Sequence, residues 1–397
     1  MPKLLQINVS ANWGSTGRIA EQINQAAKMS GWECWIAYSR FANTSESDLI
    51  QIGTKKDVLC AVLETRLLDR AGLSMRKATK MLIQQIELLR PDVVHLHNIH
   101  GYVLNYELLF DYLSKTNIKV VWTFHDFWAI TGHCAHFVDI NCDKWLTGCH
   151  HCPKHKSYPS SFTDFSARNY ALKKRLFTGN PNLHTVAVSE WVAKYVRESF
   201  FKEKDIRVIH NGVDLNVFRP LEITKNDKLN ILAISNIWTK SKGLDDILKL
   251  RELLSEEYSI TIVGLTDKQI KQLPKGILGI TRTQNIEDLV KLYNQADVLI
   301  NPTYADSFPT VNLESLACGT PIITYNTGGS PEAIDCKTGV VLEQGDIRGI
   351  ADAIENMKEH PLSAEDCRGR AEYMFNKEKC FQQYVDLYKE ILFTTSN

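Results

Sequence analysis

Tyr304-Ala-Asp-Ser-Phe-Pro-Thr-Val-Asn-Leu-Glu-Ser-Leu-Ala-Cys-Gly-Thr-Pro321 is the stretch whose reading decides the fold. Ala296-Asp-Val-Leu-Ile300, just before it, is short, apolar and β-branched, and Asn301-Pro302 closes it, as a buried strand requires. After the loop, Ser307 is placed to cap a helix and Pro309 falls near its first position, where a missing N–H costs nothing. The helix is expected from Pro309 to Ala317, ended by Gly319 and Pro321. The N–H groups of Thr310, Val311 and Asn312 then lie at the positive end of the helix, a place that attracts phosphate. Asp306 in the loop and Glu314 in the helix bracket that end with carboxylates. Carboxylates accept from paired hydroxyls, so the pattern suits a ligand with a sugar on each side of a phosphate. Strand–loop–helix units are common, and an acid near a helix start often only caps it.

Working outward, the chain has 397 residues, more than one core usually supports, so two domains are expected. Apolar residues make up 44% and charged residues 23%, ordinary values for a globular protein, and the net charge is zero. A balanced charge argues against a nucleic-acid partner. No apolar run is long enough to span a bilayer, and Met1-Pro-Lys-Leu-Leu-Gln-Ile is a strand in place of a signal peptide. Ten cysteines in such a chain imply reduced thiols or metal ligands rather than a disulfide framework. The expected location is cytoplasmic.

Leu4–Val9 is a first strand, and Asn12-Trp-Gly-Ser-Thr-Gly-Arg18 turns into a helix expected from Ile19 to about Met29. The Gly14-x-x-Gly17 spacing is not the dinucleotide pattern. Residues 55–89 follow a helical pattern with a basic first half, and Leu63, Leu67, Leu68 and Leu73 offer an apolar face for a membrane surface or for the sheet. Lys119–Phe124 is a strand with His125-Asp126 at its carboxyl end, where open α/β sheets place ligands. In the insertion that follows, Cys134, Cys142, Cys149 and Cys152 stand among four histidines. Four thiolates can close a tetrahedral zinc site, and Cys149-x-x-Cys152 has the favoured spacing. A redox disulfide or buried free thiols are the other readings. Glu222–Lys228 reads as a polar linker.

Asp306-x7-Glu314, Ala-Cys-Gly-Thr-Pro and Gly328-Gly-Ser-Pro-Glu332 together resemble the signature of retaining glycosyltransferase family 4. The resemblance covers nearly the whole chain and implies a GT-B fold: two Rossmann-like domains facing across a deep cleft, 1–220 on the acceptor side and 221–376 for the nucleotide-sugar. A last helix, 377–397, would return to the first domain, and Asn211-Gly-Val-Asp214 is similar to the family's hinge.

The resemblance also implies roles. Glu314 would hold the ribose, and Asp306 would contact the donor sugar in place of the family's longer Glu. Lys242 would neutralise the diphosphate. The family's arginine is replaced by Ile237, with Lys240 nearby as a partial substitute lacking a bidentate grip. Arg282 lies in the loop that meets the nucleobase, and Phe308, Thr310 and Val311 join the donor-binding set. Gly14, Ser15 and Gly17 form the first domain's glycine loop, and His125 is the cleft histidine that stabilises charge during transfer.

The implied reaction is retaining transfer from a nucleoside diphosphate sugar to a saccharide or lipid-linked saccharide, at the inner face of the membrane, in capsule, exopolysaccharide or O-antigen synthesis. Transfer in this family needs no metal, so any zinc would be structural. A GT-B epimerase or phosphorylase, or a zinc-bearing binding protein without activity, are the alternatives.

Overall fold

The computed structural model describes residues 1–224 and 228–393. Part of the expected linker, 225–227, and the last four residues of the expected terminal helix segment, 394–397, lie outside them. The chain divides into two compact units, residues 1–210 with 381–397, and residues 211–380.

The first unit carries a seven-stranded sheet. In chain order its strands are β1 (Lys3–Ile7), β2 (Glu33–Tyr38), β3 (Asp48–Gln51), β4 (Val93–Leu96), β5 (Lys119–Phe124), β6 (Leu183–Ala187) and β7 (Ile206–Val208). They lie in the order β3-β2-β1-β4-β5-β6-β7, every pair parallel. Parallel strands need covering on both faces. On one face, Tyr384, Val385, Tyr388 and Ile391 of the terminal helix pack with Leu4, Ile23, Val93 and Val121. An aromatic group including Phe110, Trp122 and Phe177 covers further strand residues, with the Trp122 and Phe177 rings 4.8 Å apart.

The second unit repeats the plan with six parallel strands: β8 (Leu229–Ile234), β9 (Tyr258–Val263), β10 (Ile277–Ile280), β11 (Val298–Asn301), β12 (Ile322–Tyr325) and β13 (Gly339–Leu342). Their order is β10-β9-β8-β11-β12-β13. Both sheets therefore reverse direction beside their first strand, β1/β4 in one and β8/β11 in the other. At such a switch point the loops leaving adjacent strands diverge and open a crevice at the carboxyl ends.

Several expectations are corrected. The first helix begins at Gly14 and not at Ile19, so Gly14, Ser15 and Gly17 form its first turn. Residues 55–89 are two helices, Lys55–Leu68 and Arg76–Leu89, because Asp69 (φ 49°), Gly72 (φ 74°) and Met75 (φ 58°) adopt left-handed backbone between them. Leu73 is buried in that turn, while Leu59, Leu63, Leu67 and Leu68 are exposed. Residues 211–220 sit with the second unit: Lys377 N donates to Val213 O, and Arg368 donates to the carbonyls of Leu215 and Phe218.

Candidate functional site

In the second unit, the loops leaving β8 and β11 are tied together by their backbones. Tyr304 N donates to Ser241 O at 2.8 Å, and Thr303 Oγ1 donates to the same oxygen at 3.2 Å. Gly243 allows this approach: its φ is +76°, and a Cβ there would lie 2.1 Å from Pro302 O. From the other side, Gly329 N donates to Asp306 O at 3.2 Å, and a Cβ on Gly328 would lie 1.8 Å from that oxygen. Two segments far away in sequence, 241–243 and 328–329, thus lock the loop 302–306.

The result is a direct ion pair, Lys242 Nζ to Asp306 Oδ2 at 2.5 Å, with side chains 29% and 25% exposed. Both groups are reachable from solvent. Tyr304, in the same loop, is itself anchored: its hydroxyl and that of Tyr325 both donate to Asp246 Oδ2, at 2.7 and 2.8 Å.

The helix that follows runs Thr310–Ala317. Pro309 occupies its N-cap place with no side-chain cap and no acid in the first turn, so Ser307 does not cap it as expected. Thr310 and Val311 are half-buried in that turn, whereas Asn312 N turns back to Pro309 O at 3.2 Å and is not available to a ligand. An uncapped, acid-free helix start keeps its positive end for an external anion. Glu314 is buried in the same helix, and its Oε2 accepts from the Tyr293 hydroxyl at 2.7 Å. Burial leaves this carboxylate dependent on protein donors and on whatever hydroxyls a ligand brings.

Other expected donor residues are placed differently. Lys240 and Arg282 are exposed, outside the Lys242–Asp306 pair, and Ile237 is 71% exposed. Phe308 is buried against Phe375, rings 5.8 Å apart, which makes it a packing residue.

At the switch point of the first unit, Asn8 bridges the two strand exits. Its Nδ2 donates to Ser10 O at 2.8 Å, and its Oδ1 accepts from Asn98 N at 3.3 Å. Gly17 is needed here, because a Cβ would lie 2.8 Å from Ser10 Oγ. His125 leaves β5 half-buried, with Nε2 3.0 Å from Nδ1 of the buried His97. Burial lowers its pKa to about 4, although Asp126 acts the other way. His97 and His95 are also held neutral, chiefly by burial.

Sequence reasoning assigned no role to the neighbouring trio. His100 Nε2 meets Asp126 Oδ2 at 2.7 Å, and His100 Nδ1 meets the Tyr158 hydroxyl at 3.2 Å. Burial would raise the Asp126 pKa, but the charge and hydrogen bond of His100 outweigh it and bring it to about 2. Tyr158 follows the cysteine-rich insertion, so this contact pins the end of the insertion to the loop that leaves the central strand β4. For the buried His95 and His97, also without an assigned role, the polar alternation in Val-Val-His95-Leu-His97 inside a buried strand was the available signal.

The four cysteines converge on one small cavity, shared with His133 and Trp145. All are free thiols. Cys134 and Cys152 face each other, and the Cys134 thiol lowers the Cys152 pKa against the opposing effect of burial. His133 is fully buried, its Nδ1 2.5 Å from Asp69 Oδ1, and its Nε2 has no hydrogen-bond partner. The donor set suits a soft metal. Among the described residues, however, no three Cys, His, Asp or Glu side chains stand at metal-binding spacing.

The sequence pattern of Glycosyltransferase Family 4 matches residues 16–217, just over half of the chain, and that of Glycosyl transferases group 1 matches residues 228–360. Over its length the chain is 22% identical to the protein named as colanic acid biosynthesis glycosyl transferase WcaC of Escherichia coli K12, covering 98% of this chain and 100% of that one. It is 25% identical to the capsular polysaccharide biosynthesis glycosyltransferase CapM of Staphylococcus aureus, over 52% of this chain and 61% of CapM. Among solved structures, sucrose-phosphate synthase from Thermosynechococcus elongatus superposes with a TM-score of 0.74 at 16% identity, covering 100% of both chains. Anabaena Alr3699/HepE in complex with UDP-glucose superposes with a TM-score of 0.65 at 14% identity, covering 98% and 99%. With two doubly wound units of GT-B type and both halves of its sequence matched, this chain belongs to glycosyltransferase family 4.

Proposed function

We propose that this glycosyltransferase moves a sugar from a nucleoside diphosphate sugar to a saccharide acceptor in bacterial surface-polysaccharide assembly, with retention of anomeric configuration. The observation that carries the reading is the second unit's switch point, where Lys242–Asp306, an uncapped helix start and buried Glu314 stand on adjoining segments. Lys242 and the N–H groups at Thr310 and Val311 take the diphosphate, Glu314 accepts from the ribose hydroxyls, and Asp306 accepts from a sugar hydroxyl. The names of WcaC and CapM support the polysaccharide pathway, and the HepE complex supports a uridine nucleotide as the first donor to try.

In the proposed step, the bond from the anomeric carbon to the phosphate oxygen breaks as the bond to the acceptor oxygen forms on the same face. The acceptor's proton passes to the departing phosphate oxygen. Lys242 and the helix start stabilise the charge that develops there. His125 and the Gly14–Gly17 turn keep the roles in transfer that the family resemblance implies for them.

A lipid-linked acceptor at a membrane surface is part of the proposal. Leu59, Leu63 and Leu67 repeat every four residues on one exposed helix stripe, and exposed Phe162 is tied to that helix by its N–H to Arg66 O at 2.7 Å. Lys55, Lys56 and Arg66 supply charge for anionic headgroups. No helix among the described residues is long and apolar enough to cross a membrane. A structural zinc at the four cysteines remains proposed, supported by their shared cavity and the unpartnered His133 Nε2.

Incubation of the purified protein with UDP-, GDP- and ADP-sugars and lipid-linked saccharides tests the reaction. One donor should yield a product with the donor's anomeric configuration by NMR. An inverted product, or conversion of the donor without any acceptor, would overturn the proposal.

A further inference from the structure

A chain of buried hydrogen bonds runs from a carboxylate on the first helix to His125, and each bond in it has a fixed direction. Glu21 is buried and accepts from Ser47 Oγ at 3.2 Å, while Ser47 Oγ accepts from Asn24 Nδ2 at 3.0 Å. Asn24 Oδ1 accepts from Gln6 Nε2 at 2.5 Å. Gln6 Nε2 also donates to Ala20 O at 2.6 Å. A carbonyl oxygen only accepts, so the Gln6 amide has one allowed orientation, with Oε1 turned away from the helix.

That oxygen lies 2.7 Å from His97 Nε2, which must therefore carry a proton. His97 is buried, its ring 4.1 Å from that of His95 and tilted 37° to it, and hydrogen-bonded by no carboxylate. A neutral His97 has one proton, already placed on Nε2. Its Nδ1 is then an acceptor, and the group facing it at 3.0 Å, His125 Nε2, must be the donor.

We infer that Gln6 and His97 are positioning residues that hold His125 as its Nε2–H tautomer, so that its Nδ1 lone pair is the edge offered to a ligand. The inference deepens the proposed role of His125 in transfer. It also changes that role: the free edge accepts a hydrogen bond from a hydroxyl donor and does not act as a cation against phosphate. His125 Nδ1 makes no hydrogen bond among the described residues, which leaves it open for such a group.

The test is NMR of the full chain labelled with 15N-histidine, near neutral pH and without substrate. Two-bond proton–nitrogen correlations report which ring nitrogen carries the proton, and His97→Gln and His125→Gln assign the signals. Both rings should appear as neutral Nε2–H tautomers. A Nδ1–H tautomer or a cation at His125 would overturn the inference.

In Gln6→Leu, His97 loses its acceptor. His125 should then show mixed tautomers, and kcat should fall about tenfold with the donor KM changed less than about twofold. An unchanged His125 spectrum in a folded Gln6→Leu would refute the positioning role, and the wild-type spectrum decides the tautomer if that variant does not fold. Full activity in His125→Gln would remove His125 from transfer, a failure distinct from a wrong tautomer.

Discussion

Lys242 Nζ stands 2.5 Å from Asp306 Oδ2, so the cation assigned to the leaving diphosphate is held by the carboxylate assigned to the sugar. On the proposed assignment, the two halves of the donor would be read by one pair. A diphosphate arriving at Lys242 competes with Asp306, and a sugar hydroxyl donating to Asp306 compensates for what Lys242 gives up.

Lys242→Ala should lower kcat/KM about 30- to 100-fold, the usual cost of a lost charged hydrogen bond of roughly 2–3 kcal/mol. Asp306→Asn should separate the halves: the free nucleoside diphosphate binds at least as tightly, because Lys242 is released, while turnover of the sugar donor falls. Calorimetry with nucleotide and sugar-nucleotide measures both. Equal losses for the two ligands would contradict the shared-pair account.

Tyr293 donates to Glu314 Oε2 at 2.7 Å and orients the carboxylate that is to meet ribose. Tyr293→Phe should weaken nucleotide binding about 5- to 10-fold, in line with roughly 1 kcal/mol for one hydrogen bond. Fluorescence titration with the cognate nucleotide checks this. Unchanged affinity would mean that Glu314 needs no such support.

Acid should destabilise the first unit before its carboxylates titrate. Burial holds His125 down at about 4, and His95 and His97 lower than usual, whereas histidines in the unfolded chain protonate near about 6.5. Between those values the unfolded chain binds more protons, so stability is full above about pH 6.5 and falls as pH drops toward about 4. Asp126, held at about 2, adds a further loss as pH falls from about 4 through about 2. Urea midpoints at about pH 7.5 and about pH 5 should differ, the lower being at pH 5. Equal midpoints would show that the buried imidazoles take up protons in the fold as readily as in the unfolded chain.

The cysteine cavity makes a separate prediction. Purified protein should contain about one zinc per chain, and a chelator should lower its melting temperature. Metal-free protein that gains a Cys134–Cys152 disulfide on mild oxidation would instead identify the cluster as a redox pair.

The strand, loop and helix around Asp306 and Glu314 were readable because they are local, whereas the pairing of Asp306 with Lys242 spans 64 residues. A β-branched run, a proline and glycine about ten residues apart, and two carboxylates around them specify strand, loop and helix within one stretch. The exact cap was not readable: Pro309 takes the N-cap place that Ser307 also suits, and the loop held by Ser241 and Gly329 decides between them. The break between Lys55–Leu68 and Arg76–Leu89 was hidden for a different reason. It places Asp69 and Met75 in left-handed backbone, which their side chains do not favour, and Asp69 gains buried His133 as a partner. That contact spans 64 residues, and no local pattern reports it. The path from Gln6 through His97 to His125 is equally non-local, visible in sequence only as polar residues inside buried strands.

The most direct measurement is calorimetric titration of a UDP-sugar, and then GDP- and ADP-sugars, into wild-type protein and into Glu314→Ala. The account predicts saturable binding of one donor by the wild type and a loss of at least about tenfold in the variant, with an unchanged circular dichroism spectrum. Equal affinity of that donor for both proteins would contradict the placement of the donor at the Thr310–Ala317 helix.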